Sequence, residues 1–237
     1  PMDLRAIFMG LLFALIWSSA FTSARIIVAE APPLSALALR FAISGVIGVG
    51  LALMLATHAR RATRVDEAGE VTLLADQDRS RWDHEMIAEA DRILQGLIRR
   101  PRPGPYQLQA AIACLHGLAP SPGETDWPQI VALYRALEDL QPTPVIRVNR
   151  AVAEAEVDGP AAGLALLDGV PGVARWHLYW AARADFHRRL GNLPQAALDY
   201  RSALACEMND ADRRFLEGRL NQVADTPPPT TGENAGR

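Results

Sequence analysis

The sequence predicts an all-α chain in two parts, a two-span transmembrane helical hairpin followed by a stack of helix pairs, and three observations lead there. Residues 6–24 run AIFMGLLFALIWSSAFTSA, nineteen positions without a charge. A second apolar segment occupies residues 34–57. From about residue 58 onward the chain is mixed and charged, and its apolar residues recur at helical spacing between short loops rich in proline and glycine.

Length and charge set the bounds. The 237 residues hold one membrane hairpin and one soluble domain of ordinary size and are too few for a polytopic transporter. A formal charge of −3 and a pI near 6.0 argue against wholesale nucleic-acid binding, which needs a basic footprint to neutralise phosphates. Cys114 and Cys206 lie far apart and outside any Cys-x-x-Cys spacing, so neither a disulfide framework nor a thiolate metal site is expected, and a reducing cytoplasm fits.

The first apolar run, at a rise of roughly 1.5 Å per residue, matches a hydrocarbon core of roughly 30 Å. The second contains Arg40. Its Leu, Ile, Val and Phe residues together favour insertion by roughly 5 kcal/mol against about 2.5 to 3.5 for a central arginine, so insertion wins, more comfortably if the arginine snorkels. Small residues recur at helical spacing on both segments: Gly10, Ala14, Ser18 and Thr22 on the first, and Ser44, Gly48, Ala52 and Ala56 on the second. Such stripes let helix backbones approach in lipid, so Gly10, Ala14, Ser18, Gly48 and Ala52 are the expected packing positions. Arg60, Arg61 and Arg64 follow the second segment and place that end in the cytoplasm. Two spans then leave the N-terminus and the soluble part on the cytoplasmic side of the inner membrane. A competing account makes residues 2–24 a secretory signal, but the run is long for that purpose and another span follows.

The strings MDLRAIFMGLLFALIWSSAFTSARI and APPLSALALRFAIS carry a resemblance. Over about residues 2–57 the chain resembles the opening of an EamA-type transporter of the drug/metabolite superfamily. That resemblance implies around ten spans in inverted repeats with a central substrate site. Only the first two spans are matched, so alternating access by this chain alone is not expected. Pro1 ahead of Met2 points to a natural start other than the recorded one.

Residues 59–83 form the junction, in which Val71, Leu73 and Leu74 suit a short extended piece and Asp83 suits a helix N-cap. Residues 84–223 form the helical domain. Periodicity predicts a helix from His84 to Arg99, ended by the prolines from Pro101 onward. Helical pairs follow: Tyr106 to Leu118 with Trp127 to Leu140, Val145 to Val157 with Ala161 to Leu167, and Trp176 to Leu190 with Pro194 to Cys206. The last pair has tetratricopeptide-type spacing, with Trp180, Ala184, Gly191, Ala196, Tyr200 and Ala203 where that repeat places a large residue, a small one, a turn glycine, a small one, an aromatic and a small one. The middle pair has only Leu and Ala where the repeat aromatic belongs, so the domain is tetratricopeptide-like rather than a regular array. A final helix from Asp210 to Val223, with Phe215 and Leu220 facing inward, caps the stack. Residues 224–237, rich in Pro, Thr and Gly, are expected to be a disordered tail.

In order along the chain, EVTLLADQDRSRWD, GPYQLQAAIACLHG, TDWPQIVALYRAL, TPVIRVNRAVAEAEVDGPAAGLALLD, RADFHRRLG and NDADRRFLEGRL carry a second resemblance. Over about residues 65–220 the chain resembles the C-terminal, tetratricopeptide-like region of extracytoplasmic-function RNA polymerase sigma factors. In that family the region follows two promoter-reading helical domains, and neither is matched here, so no direct DNA binding is expected. The resemblance also implies a family-specific role for the segment Asp76, Gln77, Asp78, Arg79, Trp82 and Asp83.

No residue set spells out a reaction. The Asp76 to Asp83 stretch fails as an EF-hand loop, because Arg81 stands at its sixth position and Ile87 at its twelfth. Alternating Asp and Arg suggest a salt-bridged and hydrogen-bonded clasp that docks the extended segment onto the first helices. The five histidines have no metal-ligand spacing, and no nucleophile elbow, P-loop or dinucleotide fingerprint is present. Neither catalytic nor cofactor residues are expected. Arg147, Asn149, Arg150, Arg183 and Arg188 fall on the first helices of successive pairs, which line the concave face of such stacks, and are the candidates for contacting an acidic peptide. The alternative is that they are solvated or pair with Glu154, Glu156 and Asp185. The expected role is a membrane-tethered cytoplasmic protein-interaction module descended from a sigma factor, meeting RNA polymerase or a regulator and meeting lipid through residues 6–24 and 34–57. Its rivals are a sigma-factor-related role in transcription initiation and a truncated transporter working as an oligomer.

Overall fold

The computed structural model describes residues 47–67, 69–97 and 103–224. The chain divides into two compact units, residues 1–50 and 51–237. Of the first unit only residues 47–50 are described, and they are helical.

Within the second unit the described residues form nine helices and no strand, so the domain is all-α. They are α1 (residues 51–58), α2 (His84–Leu97), α3 (Pro105–Leu118), α4 (Trp127–Leu140), α5 (Pro144–Val157), α6 (Pro160–Leu167), α7 (His177–Arg189), α8 (Leu193–Leu204) and α9 (Asp210–Ala224). Short 3₁₀ turns at Arg61–Thr63 and Arg79–Arg81 lie between α1 and α2. From α3 on, the bounds agree with the sequence expectation to within two residues, and the local chemistry explains why. Proline occupies the first turn of α3, α4, α5, α6 and α8, where its missing N–H has no intrahelical partner to lose. Asp83, Asp126, Thr143, Asn192 and Asn209 accept from backbone N–H groups three residues on and so satisfy a free donor at each helix start. The extended piece is reduced to a single antiparallel bridge between Val65 and Val71.

From α2 to α9 each helix packs on the next, and α5 also meets α7, so first helices of neighbouring pairs touch. The core is a chain of small clusters rather than one centre, as in stacked-repeat architectures. One joins α3, α4 and α5 through Ile112, Ile130, Leu137 and Ile146. Another joins α5, α6 and α7 through Val148, Ala151, Leu167 and Phe186. At Gly163 in α6 an added Cβ would lie 2.7 Å from the Phe186 ring and 2.9 Å from the Ala151 carbonyl oxygen, so only glycine lets α6 close up here. The last cluster holds Ala184, Ala196, Tyr200 and Ala203, each at most 2% exposed, with Leu216 and Val223 of α9. The two buried anchors of α9 are thus Leu216 and Val223; Phe215 and Leu220, the expected pair, are only partly buried.

The membrane half is described only at its end. Among the described residues no helix is long and apolar enough to cross a membrane. The first predicted span, with Gly10, Ala14 and Ser18, and residues 34–46 of the second lie outside the described residues, as does the tail from residue 225. The end of the second segment is described, and its small-residue stripe is a packing surface onto the helical domain: Ala52 and Ala56 are fully buried against Ala90 and Leu94 of α2 and Ala110, Ala113 and Cys114 of α3. Alanines that permit close helix packing in a bilayer permit it equally in a protein interior, so the stripe alone does not distinguish the two. The second unit therefore includes residues assigned by sequence to the hairpin.

Candidate interaction surfaces

The segment Asp76 to Asp83 closes the gap between α1 and α2 around one indole. Asp78 caps the second 3₁₀ turn by accepting from the Ser80 backbone N–H at 3.0 Å and from its hydroxyl at 2.6 Å. That turn drives the Arg79 side chain inward, where it is 8% exposed. Its Nη1 donates to the carbonyls of His116 at 3.0 Å and Ala119 at 2.6 Å, at the C-terminal end of α3, and its Nη2 reaches the Thr125 hydroxyl at 3.4 Å. A cation at a helix C-terminus offsets both the free carbonyls and the negative end of the dipole. The guanidinium also lies over Trp82, 4.8 Å from the ring centroid, and Arg60 lies over the same indole at 5.7 Å. Trp82, 4% exposed, donates from Nε1 to the Thr63 hydroxyl at 2.8 Å, and that hydroxyl donates to Gln77 Oε1 at 3.1 Å. Gln77 in turn donates to the Thr72 carbonyl at 3.1 Å. The Asp83 backbone N–H reaches back to the Ala59 carbonyl at 3.0 Å. The clasp is thus built from hydrogen bonds and guanidinium–indole stacking; the Asp–Arg ion pairs expected from the alternating sequence are not formed among the described residues.

Around the indole the neighbouring charges are positive. Burial lowers the pKa of Arg60, and the charges of Arg64 and Arg79 lower it further. His116 is pushed down to about 4 by burial and then by the charges of Arg60 and Arg79, so its imidazole is neutral at physiological pH. Nearby, burial pushes the Cys114 thiol up to about 11, with Asp91 adding to the effect, and leaves it an inert core thiol.

A different arrangement holds the arginines predicted to bind a partner. Glu138 of α4 is 8% exposed and receives Arg147 at 2.6 Å and Arg150 at 2.9 Å, both from α5. Glu154 of α5, 4% exposed, receives Arg135 at 2.8 Å and Arg150 at 3.2 Å. Burial alone would raise the Glu138 carboxyl, but the hydrogen bonds from Arg150 and Arg147 outweigh it and its pKa is lowered. Farther along, Arg183 bridges the buried Asp199 at 3.0 Å and Asp168 at 3.2 Å, and Arg188 pairs with Asp185 at 2.6 Å. Four of the five candidates therefore pair with carboxylates of the domain: Arg147 and Arg150 tie α5 to α4, Arg183 ties α7 to α8, and Arg188 pairs within α7; Arg147 and Asn149 are exposed. Sequence pointed to Glu154 and Asp185, but Glu138 and Asp199 lie on neighbouring helices and left no sequence signal beyond being acidic residues at helical spacing.

Glu138 and Arg147 also line a half-open groove with Pro142, Thr143, Pro144, Val170 and Pro171. Its volume of about 140 Å³ is well below the roughly 300 Å³ at which cofactor pockets begin. The repeat-type residues sit together: Tyr200 is buried beside Ala184, Ala196 and Ala203, with Trp180 partly buried against them. Gly191 turns the chain between α7 and α8 at a φ of 77°. Gly48 is helical, in the first unit.

Comparison with known proteins adds relatives without a described activity. Residues 12–97 match the profile described as "Family of unknown function (DUF6596)", a stretch that takes in both sides of the boundary placed by sequence at residue 58. Over 177 residues the chain is 40% identical to "Uncharacterized protein R00370" of Rhizobium meliloti (strain 1021). That alignment covers 74% of this chain and 42% of the relative, so the chain spans less than half of that protein's length. No solved structure matches the chain.

Proposed function

We propose that the chain is a tetratricopeptide-like protein-interaction module related to the C-terminal region of sigma factors and that it acts by holding a protein partner rather than by reading a promoter. The observation that carries this is the α7–α8–α9 packing, in which Ala184, Ala196 and Ala203 are fully buried around Tyr200. Small residues at these offsets let paired helices approach, and the aromatic fills the space toward the neighbouring element, which is how stacked helix pairs build extended binding surfaces. The packing of α1 into the same unit, and a family match reaching back to residue 12, support placing the start of this module at or before Leu51. Residues 6–24, without a charge, supply attachment to a bilayer in this reading.

Co-purification tests it. The full chain, solubilised in a nonionic detergent and mixed with core RNA polymerase, is expected to retain the enzyme without protecting promoter DNA from nuclease. Promoter protection by the chain and polymerase together would instead establish sigma activity. Failure to retain polymerase would remove the partner that the sigma-factor resemblance implies. Membrane fractionation checks the attachment: recovery in the soluble fraction after mild lysis contradicts it.

A further inference from the structure

The arginines of this domain differ in their partners: Arg175, Arg201, Arg213 and Arg219 stand singly and without an ion pair among the described residues, whereas the others form a carboxylate-bound set, to which Arg92 belongs through Glu89, and a cluster. Arg135, Arg147, Arg150, Arg183, Arg188, Arg189 and Arg214 each meet a carboxylate. At the Trp82 corner, Arg60, Arg61, Arg64, Arg79 and Arg81 fall within residues 60–81, and among the described residues none of them forms an ion pair. The segments that carry them are tied into one piece by the Val65–Val71 bridge, by the Thr72 N–H donating to the Arg64 carbonyl at 3.0 Å and by Trp82 donating to Thr63 at 2.8 Å. Arg61, Arg64 and Arg81 are exposed. Behind them, Arg60 and Arg79 are fixed on the indole, so the charge beneath the surface does not relax away. Exposed apolar residues stand beside the charges: Val65 is 48% and Leu73 39% exposed.

We propose that this corner, rather than the arginines of α5 and α7, is the surface on which the module docks an acidic peptide segment of its protein partner; the inference rests on the interaction-module reading above. Guanidinium groups suit carboxylates because their forked donors match both oxygens; Arg61 and Arg81 meet no carboxylate among the described residues, and Arg64 keeps donors beyond the one that Nη2 gives to the Thr57 carbonyl at 2.7 Å. Val65 and Leu73 would take apolar side chains set between the acidic ones. Asp66, Glu67, Glu70, Asp76 and Asp78 balance the five arginines of the same stretch, so only a short segment that sets its carboxylates against Arg61, Arg64 and Arg81 and stays clear of these acids is attracted; a nucleic acid or an anionic bilayer laid across the region meets them all.

The test uses the full chain in nonionic detergent and a fluorescent synthetic peptide of alternating glutamate and leucine, read by anisotropy at low and at physiological salt. The wild-type chain is expected to bind it in a salt-sensitive way. The triple variant Arg61→Glu, Arg64→Glu, Arg81→Glu, checked for unchanged helicity by circular dichroism, is expected to bind at least about tenfold more weakly. A control with Arg175→Glu and Arg201→Glu, exposed positions elsewhere on the domain, is expected to bind as wild type. Equal weakening in the control overturns the proposal, as does tighter, Arg61- and Arg64-dependent binding of a single-stranded oligonucleotide or of vesicles rich in anionic lipid. Retention of polymerase separates the two claims. If the wild-type chain retains the enzyme and the triple variant does so equally, the corner is wrong and the module reading stands; if the wild-type chain retains no polymerase, that partner is removed and the corner is decided by the peptide alone.

Discussion

Around Trp82 the chain is held by a few polar contacts made once, whereas from α5 to α9 it is held by a small-residue contact made repeatedly. Arg79 and Trp82 tie the 3₁₀ turn after α1, the C-terminal end of α3 and Thr125 just before α4 into one corner through hydrogen bonds each made once. In the stack, Gly163, Ala184, Ala196 and Ala203 let neighbouring helices close up, and the arginines add cross-helix ties to buried carboxylates. The difference teaches where a single change does most harm. A contact made once fails at once, while a repeated one shares the loss along the stack.

The largest effect should come from Trp82→Ala. Removing a fully packed indole on which two guanidiniums rest is expected to cost about 3 to 5 kcal/mol of unfolding free energy, read from denaturant midpoints of the full chain. A loss under about 1 kcal/mol would mean that the clasp is ornamental and the comparison is broken. Gly163→Ala comes next. The new methyl must displace Phe186 or the Ala151 carbonyl, and overpacking of this kind costs about 1 to 3 kcal/mol. A neutral outcome would mean that α6 stands farther from α5 and α7 than described.

Glu154→Gln is expected to cost about 1 to 2 kcal/mol, since two arginines lose a charged acceptor that is itself buried while their own heads keep partial access to water. Acidification sharpens the contrast from the other side. Folding lowers the pKa of His116 to about 4, so the unfolded chain takes up that proton first; stability is full above about 6.5 and falls as the pH drops toward 4. Glu138, whose pKa is also lowered, adds a further loss below about pH 4.3, where the unfolded carboxylate protonates. His116→Gln should flatten thermal midpoints between pH 6.5 and 4 while leaving the more acidic fall in place. The smallest effect belongs to Arg92→Ala, whose pair with Glu89 is 74% exposed on the arginine side, and no measurable shift in midpoint is expected.

Much of the helical layout was legible because its punctuation is local. Prolines at helix starts, caps such as Asp126, Thr143 and Asn192, and Gly191 between α7 and α8 act within a few residues, so a single sequence displays them. What was not legible depends on partners distant in sequence. Nothing in the apolar run ending at Thr57 says that Ala52 and Ala56 meet Ala90 and Ala110 rather than another helix in lipid. The carboxylates that hold Arg147, Arg150 and Arg183 include Glu138 and Asp199, which come from adjacent helices and carry no local signal of that pairing. Arg79 was expected to pair with a neighbouring aspartate; it reaches instead to carbonyls at residues 116 and 119, which burial makes the greater need.

Two charge reversals on the same protein test the division of labour most directly. Peptide affinity and thermal midpoint should be measured side by side for the Arg61→Glu, Arg64→Glu, Arg81→Glu variant and for an Arg147→Glu, Arg150→Glu, Arg183→Glu variant. The account predicts that the first loses affinity with its midpoint unchanged, and that the second loses its midpoint because glutamates then face the buried Glu138, Glu154 and Asp199. If the second variant keeps its midpoint and loses the peptide while the first binds normally, the arginines of the stack are the docking surface and the account is contradicted.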